Sequence, residues 1–166
     1  MNLLTKLLPL KNIALGLEVS SKKRLFEQAG LVFENNHGIA RSTVFDSLFA
    51  RERLGSTGLG HAIAVPHGRI KGIKEAVGAF FRLATPVPFD APDGAPVGLV
   101  FVLLVPDHAG QQHLEILAEL AHFFSDREVR AQLMNAPTAA QLYKVIQHWS
   151  PQRNETYVPD QRRAAG

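Results

Sequence analysis

The 166-residue sequence has no cysteine, which excludes disulfide staples, a thiol nucleophile and thiolate metal ligands. That absence fits either redox compartment, so it limits chemistry and not location. Long hydrophobic runs are missing as well. The longest, Val97 to Val105, falls far short of the roughly 18 residues a membrane-spanning helix needs, and Pro106 ends it. The first residues, MNLLTKLLPLKN, lack the basic start and the small-residue cleavage site of a secretory signal. A cytoplasmic chain with no membrane insertion is expected.

Clustered charge of one sign is also scarce. Lys and Arg number 18 against 15 Asp and Glu, a net charge of +3. A surface that tracks nucleic acid gathers its cations on one face, whereas these are dispersed, so no nucleic-acid partner is expected. The one tight run, Lys22-Lys23-Arg24, opens a helical pattern and reads as a solvated first turn, although cations there oppose the helix dipole. A hydrophobic content of 46% and a charged content of 20% describe an ordinary globular chain long enough for one domain with a real core. That domain is expected over residues 1–150. From Pro151 to Gly166 the composition turns polar, with few apolar anchors, and a loose, disordered tail is expected.

Periodicity sets the elements. Ser20 or Ser21 can cap a helix whose stripe is Leu25, Ala29, Val32 and Phe33, and Asn36-His37-Gly38 stops it. A second helix is expected from Ser42 or Thr43, with Thr43 and Asp46 as a capping box, to about Arg53, with Gly55 placed to end it. Ala62 to Val65 suits a short buried strand closed by Pro66. Ala76 to Leu83 alternates as a half-buried strand, Thr85 to Pro96 is a proline-rich loop, and Val97 to Val105 reads as a central strand covered on both faces. Helices follow over about Gly110 to Phe124, Asp126 to Met134 and Thr138 to Trp149, the last with Thr138 and Gln141 as a capping box.

The chemically dense window is Arg51 to Arg69, RERLGSTGLGHAIAVPHGR, where loose backbone, small hydroxyls, cations and an imidazole suit the handling of an oxyanion. Helical phase puts Arg51 on or beside the core-facing stripe, at i+7 from Val44 and i+3 from Leu48, and turns Arg53 to solvent. Arg51 is then either a cation snorkelling at a helix end or one aimed into the mouth of a site. The glycines of Gly55 to Gly60 allow close backbone approach, but the segment is neither a Walker loop nor a dinucleotide fingerprint, and such a loop is more often a structural turn than a phosphate cradle. His67 sits just past the expected strand end, either simply solvated or functional. Downstream, His113 lies near the start of a helix on a stripe with Leu117, Leu120 and Phe124, facing the sheet, while His122 points the other way. It is either a hydrogen-bonded core imidazole or an anion contact.

If the strands ending at Pro66 and Pro106 are neighbours, His67, His113 and Arg51 converge. A neutral imidazole is nucleophilic near neutral pH and brings no charge repulsion against a phosphoryl group. A second imidazole, the arginine and the loop amides would neutralise charge. The set describes a phosphohistidine site.

Four segments, RERLGSTGLG, AIAVPHGR, FDAPDGAPVGLVFVLLVP and QQHLEILAELA, in this order and spacing, resemble the EIIA proteins of the fructose/mannitol type of the bacterial phosphotransferase system, most closely its nitrogen-regulatory branch. The resemblance covers roughly Leu8 to Trp149. It implies an α/β fold, a single domain with a mixed sheet flanked by helices. By it, His67 is the phosphorylated residue, His113 the second active-site histidine and Arg51 the site arginine, with Ser56, Thr57 and Gly58 at the phosphate. An HPr-like phosphocarrier is the implied donor and regulatory target proteins are further partners, with no cofactor and no metal. Ala62, preceded by His61, stands where glycine is expected. The competing readings are an EIIA of fructose/mannitol-type sugar uptake, a regulator never phosphorylated on His67, and a metal hydrolase using His61, His67, His108 and His113. The last is disfavoured by the absence of i, i+4 histidines and of any HExxH.

Overall fold

The segment Val97–Pro106 is buried at every position, as a continuous apolar and β-branched run must be if both faces of its strand are covered. The structure, a computed structural model, describes residues 2–150, and the tail expected from Pro151 lies outside them. In chain order the elements are α1 (Leu3–Leu7), a 3₁₀ turn (Leu10–Asn12), β1 (Ile13–Leu17), α2 (Lys22–His37), α3 (Arg41–Glu52), β2 (Gly58–Gly60), β3 (Ile63–Ala64), β4 (His67–Ile70), β5 (Val77–Val87), β6 (Val97–Pro106), α4 (Gln111–Ser125), α5 (Arg127–Asn135) and α6 (Ala139–His148). The sheet runs β1-β5-β6-β3-β2, with β4 also paired to β6. β5 is antiparallel to β6, while β3 and β4 run parallel to it, so the sheet is mixed as expected.

Alternate residues of β6 feed two cores. Leu99, Phe101, Leu103 and Val105 face α1, α4, α5 and α6, and Val100, Val102 and Leu104 face α2 and α3. Burying such a side chain contributes roughly 1.5–3 kcal/mol, so this strand anchors both layers. β5 corrects the half-buried expectation, because Phe80 enters one core and Ala79, Phe81 and Leu83 the other. It also runs on to Val87, into the stretch read as loop.

α2 starts and stops where its signals lie. The Ser21 hydroxyl accepts the Arg24 N–H at 3.1 Å, and Gly38 closes the helix at φ 69°, a left-handed value that glycine adopts without steric cost. α3 does not use its expected capping box. It begins at Arg41, before Thr43, with no side-chain cap at Ala40. The Glu34 carboxylate, from the preceding helix, instead accepts the Arg41 N–H at 3.1 Å, a tertiary cap that local sequence does not advertise. Of the later helices, α5 is capped by Asp126 and α6 by Thr138.

Lys22 is a further correction. Rather than standing in a solvated turn, it reaches Glu52 of α3 at 3.0 Å and lies 4.6 Å from the centroid of the Phe89 ring. That partner offsets the unfavourable position of a cation at a helix N-terminus. α1 and β1 were not foreseen. Their segments are short and show neither period over enough residues to be distinguished from loop.

Candidate active site

Arg51 occupies the last turn of α3, partly buried, while Arg53 is exposed, as helical phase requires. Its guanidinium donates to the Gly55 carbonyl at 2.8 Å, across the turn that leaves the helix. Glu52 between them is buried and accepts both the hydroxyl and the backbone N–H of Thr57, at 2.7 and 3.1 Å. The Ser56 hydroxyl donates to Phe89 O at 2.8 Å and accepts the Gly58 N–H at 3.1 Å. The polar groups of the glycine-rich loop are thus engaged in holding its shape.

After β2 the chain reverses through His61 and Ala62 into β3, with Gly60 facing Ile63 in the antiparallel register. Both turn residues have positive φ, 57° and 65°. This two-residue hairpin needs left-handed backbone at both centres, the reason glycine is favoured there and Ala62 is a costly choice.

β3 does not end the strand path. Pro66 interrupts it, offering its carbonyl to the Leu103 N–H at 2.9 Å, and the chain resumes as β4 on the same edge of β6, with His67 opposite Leu103. His67 is therefore the first residue of a strand and not a loop residue beyond one, a correction to the expected placement. At the break the Val65 carbonyl turns to the imidazole, whose Nδ1 lies 2.8 Å from it. A carbonyl oxygen only accepts, so Nδ1 carries the proton and Nε2 keeps its lone pair. Gly68 lets this strand approach α3. A Cβ there would lie 2.1 Å from Ser47 Oγ and 3.1 Å from the Ser47 carbonyl carbon, so any side chain would push away the helix that carries Arg51.

His113 of α4 stacks edgewise on His67, ring centroids 5.4 Å apart at 67°, and its Nε2 is buried without a hydrogen-bond partner. Arg69, the next outward residue of β4, donates to the carbonyls of Asp107 and Ala109, tying β4 to the loop before α4. Burial holds the His67 imidazole below its ordinary value of 6.5; the nearby Arg51 acts in the same direction, while the bond to Val65 and the Glu52 carboxylate oppose it. His113 is lowered for the same first reason, with His67 and Arg69 adding to it. Both rings are neutral at physiological pH.

A hollow of about 190 Å³ opens onto His67, lined by Arg51, Ser56, Thr57, Gly58, Leu59, Val65 and Leu117. The structure thus brings His67 together with Arg51 and the expected loop residues, and sets His113 against its ring. His61 lies outside this hollow, at the exposed hairpin turn, and His108 is exposed beside Asp107. Among the described residues no group of three or more His, Cys, Asp or Glu side chains could hold a metal ion. Sequence reasoning missed Glu52. A charged residue one position from an exposed arginine gives no local sign that tertiary partners bury it.

A neutral, oriented imidazole beside an arginine can act as a nucleophile toward an anionic group, and comparisons with known proteins give the family. A family model described as "Phosphoenolpyruvate-dependent sugar phosphotransferase system, EIIA 2" matches residues 6–149, and the chain belongs to that family. Within it, the chain is 48% identical over 127 residues to the nitrogen regulatory protein of Pseudomonas aeruginosa, covering 76% of this chain and 82% of that one. The crystal structure of nitrogen regulatory protein IIA-Ntr from Neisseria meningitidis superposes with a TM-score of 0.82 at 51% identity, covering 87% of this chain and 99% of that one. The mannitol IIA of Escherichia coli, at 22% identity and a TM-score of 0.70 over 82% of this chain and 96% of that one, shares the fold.

Proposed function

We propose that this chain accepts a phosphoryl group on His67 Nε2 from an HPr-like phosphocarrier, and that the phosphorylation state of His67 regulates partner proteins. The observation that carries the reading is the 2.8 Å contact of His67 Nδ1 with Val65 O, which leaves Nε2 as the nucleophile. The Nε2 lone pair attacks phosphorus, an N–P bond forms, and the bond between phosphorus and the donor breaks, its electron pair leaving with the donor. Because Nε2 carries no proton beforehand, no base is required. Arg51 balances the charge gathered on the phosphoryl oxygens, and the imidazole of His113 offers them a hydrogen bond. Ser56, Thr57 and Gly58 form the wall against which the oxygens rest.

A regulatory role is favoured over sugar uptake because the relatives at 48–51% identity carry the name nitrogen regulatory protein. No helix among the described residues is long and apolar enough to cross a membrane. Incubation with the phosphocarrier, its upstream kinase and phosphoenolpyruvate gives one acid-labile phosphoryl group, absent from His67→Ala. Undiminished labelling of that variant would refute the assignment.

A further inference from the structure

Glu52 is a buried carboxylate bonded to Thr57, which lines the hollow at His67. Its side chain is 4% exposed. Removing a carboxylate from water is costly unless a counter-charge and donors replace the solvent, and here all are supplied. Lys22 Nζ stands 3.0 Å from Oε2, the Thr57 N–H donates to the same oxygen at 3.1 Å, and the Thr57 hydroxyl donates to Oε1 at 2.7 Å.

These bonds continue toward His67. The Thr57 carbonyl accepts the Val65 N–H at 3.0 Å, extending the β2–β3 pairing by one rung. The Val65 carbonyl in turn takes the imidazole N–H at 2.8 Å. An unbroken path thus joins the first residue of α2 to the nucleophile, through Lys22, Glu52, Thr57, Val65 and His67. At its far end only one rotatable contact, the Val65 carbonyl, fixes which ring nitrogen holds the proton. If Thr57 shifts, Val65 shifts with it.

We propose that Glu52 is a positioning residue, whose carboxylate clamps both donors of Thr57 so that the Val65 carbonyl holds the proton of His67 on Nδ1 and keeps Nε2 free to react. The inference rests on the reading of His67 Nε2 as the phosphoryl acceptor. Two features separate it from simple loop support. The clamp spends two of its acceptor contacts on one residue, Thr57, the residue hydrogen-bonded to Val65. Lys22, at a helix N-terminus where a cation is unfavourable, is retained there by this contact. Arg51, the neighbour of Glu52, meanwhile holds the opposite side of the same turn through Gly55.

The test combines a rate with a tautomer. In Glu52→Gln the side-chain amide offers one oxygen for three donors and turns an NH₂ toward Thr57 or Lys22. Displacements on the order of 1 Å at a reacting atom cost about 10²-fold in rate, and single-turnover labelling by the phosphocarrier at saturating concentration is expected to slow by about that factor. ¹⁵N NMR of the unphosphorylated protein is expected to show His67 as a single Nδ1–H tautomer and, in Glu52→Gln, as a mixture. Thr57→Val, which removes the hydroxyl but keeps the side-chain shape and the backbone N–H, is expected to lie between the two in both readouts. It serves as the folded comparison if Glu52→Gln does not fold. A purely structural role would lower the melting temperature and leave the tautomer unmixed, and that result overturns the proposal. So does wild-type labelling in a folded Glu52→Gln protein. The tautomer measurement needs no phosphoryl donor, so failure of His67 labelling in the unaltered protein would count against the proposed function and not against the clamp.

Discussion

The two sides of the site are built to different standards. On the side from α3 to β4, nearly every polar group is committed: Arg51 to Gly55, Glu52 to Thr57 and Lys22, Ser56 to Phe89, and His67 to Val65. On the α4 side, His113 extends from a helix with no side-chain cap at Gly110, and its buried Nε2 has no partner. Buried polar groups without partners are rare, and each costs about 1–3 kcal/mol. The difference teaches that the His67 side is fixed by its own hydrogen bonds, whereas the His113 side is not. The opposite side holds an uncommitted hydrogen-bonding nitrogen, which the proposed function assigns to the incoming phosphoryl oxygens.

Arg51→Ala attacks the committed side and carries the largest effect of the set. Loss of a cation facing developing charge, together with the brace on Gly55, is expected to slow single-turnover labelling about 10²–10³-fold. His113→Ala attacks the other side. It removes the hydrogen bond proposed for the phosphoryl oxygens but also an unsatisfied buried nitrogen, so labelling is expected to slow only about tenfold, with unchanged or higher thermal stability. Equal effects of the two variants on rate would erase the contrast drawn between the sides.

Acid sharpens the same contrast through stability. His67 and His113 are both lowered from 6.5 by burial, so below 6.5 the unfolded chain binds more protons than the folded one. Stability is therefore fully present above 6.5 and is lost as pH falls from there toward the folded values. Urea unfolding across this window should show the decline, and His113→Ala should make it shallower. Labelling, in contrast, should persist at pH 6.5, because burial lowers His67 and its neutral form still predominates there.

The smallest expected effect lies at the hairpin turn. Ala62→Gly relieves a left-handed alanine, worth about 1–2 kcal/mol, and gives back roughly 0.5–1 kcal/mol through the looser unfolded chain. A net gain of about 0.5 kcal/mol in urea unfolding is expected, with no change in labelling.

Sequence alone carried much of this. Long periodic segments, such as α2 with Ser21 and Gly38 at its ends or β6 with its continuous apolar run, announce themselves because burial on a defined face dictates composition. His67, His113 and Arg51 were legible from phase and from the resemblance of their motifs. What escaped was tertiary in origin. The cap of α3 comes from Glu34, seven residues before Arg41, Lys22 is explained by Glu52 and the Phe89 ring, and Pro66 breaks a strand path that β4 then continues along the same edge of β6. Ala62 was singled out as a departure, yet its strain follows from a positive φ that residue type alone does not reveal.

The central claim is that His67 offers Nε2 because Val65 holds Nδ1–H. ³¹P and ¹⁵N NMR of the labelled protein tests it most directly: the phosphoryl group is predicted on His67 Nε2, with Nδ1 still protonated. A phosphoryl group on Nδ1, or on any other histidine, would contradict the account.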